Sequence, residues 1–210
     1  MKIFHPVLIF LDENHDTSAR YLTNQYLDFC IRNTCQVLMC SLFYTIGIRN
    51  KTFYKHYVCK ERWADTKARF FPTYPLSTMP KFSFYNSQEA RWCRKCQNHY
   101  YYLVDSLDSM LNEFSFRFNK DHELYEMADF LRFAPIKMQL SVRCRMATLK
   151  HASKLQLPWK NLPPKYRRKN IIQGYREFFR SQIPSPLDAY IGTKRDVPDF
   201  LVDKMEATLV

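Results

Sequence analysis

Across residues 88–118 the apolar side chains Trp92, Tyr100, Leu103, Leu107, Met110, Leu111, Phe114 and Phe118 recur at steps of three and four. That period lays one greasy stripe along a helix and leaves the other sides polar, so the segment must form a long helix packed on something equally apolar. The partner is residues 19–46, where Leu22, Tyr26, Phe29, Cys30, Val37 and Leu38 keep the same period after a cap at Thr17 or Ser18. Only 3 Gly stand against 17 Phe and 14 Tyr. Tight turns draw on Gly for positive φ, so this composition disfavours a turn-rich β fold. The expectation is a mostly α chain: a single helical domain over residues 1–210 built on two long antiparallel helices, with residues 1–11 as a short strand or extended arm.

The remaining segments read less sharply. A short helix is expected over 60–68, and three prolines in FFPTYPLSTMPKFSFYNS make residues 70–87 a loop. Asp121 is expected to cap a helix ending at Leu131. Residues 136–160 alternate like a strand in MQLSVRCRM yet suit a helix in LKHASKLQL. After Pro163 and Pro164, KYRRKNIIQGYREFFRSQ reads as a helix with Ile171, Tyr175, Phe178 and Phe179 on one side.

The most apolar run, residues 35–48, is about 14 residues long, short of the about 20 needed to cross a bilayer, so no membrane partner is expected. No secretory cleavage signal follows MKIFHPVLIFLDENH. A cytoplasmic location with reduced thiols is therefore expected for the seven cysteines. P-loop, dinucleotide-turn, GxSxG and HExxH patterns do not occur, and no cofactor is expected. Cys93 and Cys96, with His56, Cys59 and His99, have spacing from which a zinc site can be drawn. Neither pair sits in a glycine-containing knuckle, and the packed-thiol reading takes precedence, so no metal site is assigned.

The net charge of +12 is concentrated. Residues 132–180 hold thirteen Lys and Arg against one acid, Glu177, which accounts for the whole excess. Trp159, Tyr166, Tyr175, Phe178 and Phe179 are interleaved with it. Cations neutralise phosphates and aromatic rings stack on bases, so nucleic acid is the expected partner, with protein partners left open. In the first long helix Asp28 admits two readings. Facing the core it would be desolvated and its pKa raised, as suits a general acid or base. Facing out it would pair with Arg32 at i+4, the ordinary helical arrangement.

Three stretches carry a family resemblance. ARYLTNQYLDFCIRNTCQVL is similar to a helix of the form AxYHxDKHVxKMxxExxQLL, and NSQEARWCRKCQNHYYYLVDSLDSMLNEFSFRF to NHPCxxWARESxxNYxWLYELxxALxxEYTYRY. LPPKYRRKNIIQGYREFF, with KRDVPDF after it, is similar to MPxEYKxxDPVEAYRxYY followed by KRxVPEWF. In that order they resemble the phage pyrimidine-dimer DNA glycosylases of the endonuclease V type. Shared positions include Tyr21, Gln36, Trp92, Arg94, Tyr100, Leu103, Tyr166, Tyr175, Arg176, Lys194, Arg195 and Pro198. The family's HxDKH becomes Leu22, Asn24, Gln25 and Tyr26, and its HPC becomes Ser87, Gln88 and Glu89.

The resemblance implies double-stranded DNA as partner, bound through Arg91, Arg94, Lys95, Lys165, Arg167, Arg168, Lys169, Arg176, Lys194 and Arg195. It also implies an excision chemistry in which an N-terminal amine attacks the sugar to form a Schiff base while a carboxylate steers protons. Here the amine would come from Met1 or Lys2, and Asp28 stands nearest the family Glu. Lys2 after Met1 hinders removal of the methionine, and the polar motif residues are replaced. The expected function is thus a phage DNA-binding protein with reduced or lost catalysis. An active DNA N-glycosylase/AP lyase working in DNA repair, and a non-enzymatic structural, host-takeover or RNA-binding phage protein, are the alternatives.

Overall fold

A computed structural model describes residues 8–45, 87–94, 97–133 and 162–206. Most of them are helical, as the periodicity predicts, and no strand occurs among the described residues. Residues 1–7, the expected helix over 60–68, the proline loop before Ser87 and the ambiguous 136–160 segment lie outside them.

The first long helix differs from expectation by a break. Asn14, not Thr17 or Ser18, caps α1 (His15–Arg20), its side-chain oxygen accepting from the Thr17 amide at 2.9 Å. Ser18 faces the other way and accepts from the Leu11 amide at 3.0 Å. The chain then turns, and Thr23 Oγ1 accepts from the Tyr26 amide at 3.3 Å to open α2 (Asn24–Thr45). A hydroxyl that satisfies an orphan amide makes a fresh start cheaper than continuation. Beyond Arg32 α2 is buried almost all round, through Val37, Leu38, Leu42 and Phe43, as befits a helix at the centre of a domain.

The second long helix is also divided. Ser87 caps α3 (Gln88–Cys93), and α4 (Gln97–Phe118) follows. His99 Nδ1 donates to the Trp92 carbonyl at 2.8 Å while its ring stacks on the indole, so the end of α3 is tied to the first turn of α4. The α4 stripe of Tyr100, Leu103, Val104, Leu107 and Leu111 is buried, and α4 packs on both α1 and α2. Asp121 does not cap the next helix: it accepts from Ser115 Oγ at 3.0 Å, while His122 opens α5 (Tyr125–Phe133), its Nδ1 accepting from the Leu124 amide and its carbonyl from that of Tyr125. The Tyr100 hydroxyl donates to the Leu131 carbonyl at 2.9 Å, holding α5 on α4.

The C-terminal part is a 3₁₀ turn (Pro164–Tyr166) and three helices, α6 (Ile171–Gln182), α7 (Pro186–Tyr190) and α8 (Asp199–Glu206). In place of a regular strand at the N-terminus, residues 8–11 lie buried, with the Phe10 ring edge-on to Tyr175 at 5.4 Å and tilted on Tyr102 at 5.8 Å. Residues 35–43 of the most apolar run belong to this core, and among the described residues no helix is long and apolar enough to cross a membrane.

One polar network sits inside this packing. Arg117 on α4 is fully buried. Its Nε donates to Glu113 Oε1 at 2.7 Å, and its remaining nitrogens donate to the carbonyls of Leu22 and Arg20 and to Asn24 Oδ1. It thereby supplies donors to the carbonyls at the C-terminus of α1, which have no partners within that helix. Arg195 closes the other side of Glu113 with two bonds, at 2.9 and 2.8 Å.

Burial pushes the Glu113 carboxyl up, but the hydrogen bonds from Arg195 and Arg117 outweigh it and hold the group below its ordinary value. Its stabilising contribution is therefore complete above the unfolded-state pKa and disappears as pH falls through the folded-state one. Glu113→Gln should cost about 3–5 kcal/mol in denaturant unfolding, because two guanidiniums lose their counter-charge, and should flatten the acid limb of the stability profile below about pH 4.5. A variant as stable as the parent would show that the network is dispensable.

Candidate nucleic-acid interface

The basic run near residue 165 folds into a defined rim. Asn170 caps α6, accepting from the Gln173 amide at 3.2 Å, so the helix begins later than the sequence suggests and residues 162–170 double back against it. The contact is made by Gly174. A Cβ there would lie 2.3 Å from the Tyr166 carbonyl oxygen and 3.2 Å from Leu162 Cδ1, so only glycine admits the backbone this closely. Leu162 is buried and the Tyr166 ring meets Phe178 edge-on at 5.5 Å.

This packing leaves Lys165, Arg167, Arg168 and Lys169 all exposed. Arg167 Nε donates to the Leu162 carbonyl at 2.9 Å, and Arg168 Nε to Glu177 Oε2 at 2.8 Å, whose other oxygen accepts from Gln173. The two arginines therefore brace the rim as well as charge it. Lys165 lies over the Tyr166 ring at 4.7 Å, and the Tyr166 hydroxyl is held below the usual phenol range by Ser181 and then by Lys165. Four cations and one carboxylate next to the N-terminal end of a twelve-residue helix, where the helix dipole is positive, make a surface that attracts phosphate.

The other expected contacts are dispersed. Arg176 is committed inward, donating to the Leu11 carbonyl at 2.6 Å and to Asp12 at 2.7 Å, with its plane near Tyr21 and Phe200. Arg195 is bound to Glu113, and Lys194 Nζ donates to the Phe116 carbonyl and to Asn119. Arg91 is exposed on α3, and Arg94 lies over the Tyr44 ring at 4.3 Å. Lys95, Met1 and Lys2 lie outside the described residues.

Asp28 adopts the paired arrangement. Arg32 Nε donates to one carboxylate oxygen at 2.9 Å and His122 Nε2 to the other at 3.0 Å, and Arg32 also binds Glu123. Because His122 Nδ1 accepts from an amide, the proton belongs on Nε2, aimed at Asp28. Partial burial pushes the Asp28 carboxyl up, yet the bonds from Arg32 and His122 bring it below its ordinary value. The group is ionised at neutral pH and has no proton to give. Both of its oxygens are already accepting hydrogen bonds.

Among the residues from which a zinc site can be drawn, Cys93 is buried, its thiol pushed up to about 12 by burial, and His99 is stacked on Trp92; His56, Cys59 and Cys96 lie outside the described residues. Several residues that shape these sites were missed in the sequence. Gly174 stands in an otherwise amphipathic helix, a signal of close backbone approach. Glu113 and Arg117 stand at i, i+4, which was readable as a pair. His122 as a partner of Asp28 left no local trace.

Gly174→Ala should lower stability by about 1–3 kcal/mol, as overpacking does, and should open residues 165–169 to trypsin. An unchanged melting midpoint with a resistant rim would contradict this account of the contact.

Comparison of the chain with family models, with curated proteins and with solved structures finds no match.

Proposed function

We propose that this chain is a nucleic-acid-binding protein of phage type, resembling the pyrimidine-dimer DNA glycosylases in the order of its motifs, with duplex DNA as its partner and with catalysis reduced or lost. The observation that carries the reading is the basic rim of residues 165–169, held in place by the Gly174 contact. A fixed cluster of cations releases counterions from DNA without first losing the entropy of a flexible loop. Its recognition is of backbone phosphate, which positions a duplex but does not read sequence.

The loss of catalysis is supported by the surroundings of Asp28. A carboxylate that steers protons needs an oxygen free to take them up, whereas both oxygens of this one are engaged, by Arg32 and by His122. The replaced HxDKH and HPC positions point the same way.

Since Arg167 and Arg168 brace the rim, the clean test of binding reverses only the lysines. Lys165→Glu with Lys169→Glu should weaken duplex binding at least tenfold at about 0.1 M salt and reduce the log–log salt slope by about 1 per lysine, with the melting temperature unchanged. Equal affinity and slope would remove the rim from the reading. For chemistry, borohydride reduction in the presence of abasic or ultraviolet-damaged duplex should trap no covalent adduct, because a Schiff base is what borohydride captures. An adduct through Met1 or Lys2 would restore the active glycosylase/lyase.

A further inference from the structure

The described residues contain two non-glycine residues with positive φ, Asn119 at 52° and Lys194 at 56°, and they meet at one place. Asn119 ends α4 in the left-handed conformation common after helices, its amide donating to the Ser115 carbonyl at 2.9 Å. Lys194 has no such helical excuse, and its left-handed backbone is strained. Its Nζ donates to Asn119 Oδ1 at 3.1 Å and to the Phe116 carbonyl at 3.0 Å.

The turn that carries Lys194 is over-determined. Thr193 is fully buried, its hydroxyl donating to the Tyr190 carbonyl and accepting from the Arg195 amide, and Tyr190 donates to the Tyr21 carbonyl. Arg195 is clamped on Glu113 by two bonds and lays its guanidinium over the Phe116 ring at 4.0 Å. Phe116 itself is 47% exposed on the last turn of α4. So large an apolar surface contributes little to the core, yet a strained turn and a buried ion network hold cations beside it. Glu113 is shared by two arginines, and the Lys194 ammonium is bound to uncharged acceptors.

We infer that Phe116, framed by Lys194 and Arg195, is a stacking platform for an unpaired base of a DNA strand, whose phosphates lie against the two cations. An exposed ring beside fixed cations matches what single strands offer: a π-face on every base and a charge on every link. The inference deepens the nucleic-acid reading and rests on it. It adds a site for unstacked DNA that is separate in sequence from the rim.

The test uses the full chain and an oligothymidylate carrying one central 2-aminopurine, whose fluorescence is quenched when an aromatic ring stacks on it. The parent should quench it. Phe116→Ala and Phe116→Leu should each bind about tenfold more weakly with quenching lost, the size expected for one stacked base, and Phe116→Trp should restore both. The leucine variant keeps apolar volume, so a loss shared with alanine cannot be put down to unfolding. Parent-like quenching in both truncations would overturn the platform, and if the lysine reversals at 165 and 169 still abolished duplex binding, the rim reading would stand alone. Retained duplex binding in those reversals, with quenching lost at Phe116, would support the platform and sink the rim. A parent that binds neither probe ends both.

Discussion

The carboxylate of Glu113 is the point through which the N-terminal, central and C-terminal parts of the chain are joined. It holds Arg117, whose guanidinium supplies donors to the carbonyls at the end of α1 and in the turn to α2, and it holds Arg195 from the segment between α7 and α8. Three stretches far apart in sequence thus share one negative charge in a low-dielectric interior. Such a network is a weak source of net stability, since burying the charges costs about what their attraction returns. Its effect is geometric: with one carboxylate between two guanidiniums, the break after α1 and the turn at Lys194 are set in the arrangement that lets both guanidiniums reach it.

The same economy governs the basic rim. Its cations would repel one another in a free loop, and they are brought together by apolar contacts beneath them: Leu162 and Tyr166 against α6, admitted by Gly174. Two of the arginines then bind a carbonyl and a carboxylate of the structure they decorate. Elsewhere the same residue type is tied to the fold, as with Arg176 on Leu11 and Asp12. Charge counted along the sequence therefore overstates charge offered to a partner, because arginine's several donors can brace a fold as well as bind phosphate.

Asp28 shows how environment decides role. A carboxylate on a helix has the chemistry of a general acid, a cation stabiliser or half of an ion pair, and its neighbours choose. Arg32 is a neighbour by helical spacing, whereas His122 arrives from the turn before α5, and together they hold the group ionised. The proposed DNA platform at Phe116 is the complementary case, in which neighbours hold a side chain open instead of closing it.

By itself the sequence determined the helical character, the long amphipathic stripes now divided among α1 to α4, the Asp28 and Arg32 pair as one of two readings, and the concentration of basic residues, because period, i+4 spacing and charge are local quantities. It misplaced the helix starts near residues 14, 23 and 171, where a side chain of the right reach had to outbid the next helical turn. Only the tertiary structure decided which arginines serve the fold, that His122 completes Asp28, that Gly174 is a contact, and that Lys194 and Asn119 meet. Each of those depends on groups brought together across the chain, with Glu113 and Arg195 eighty-two residues apart, and no window of neighbouring residues contains the distance that matters.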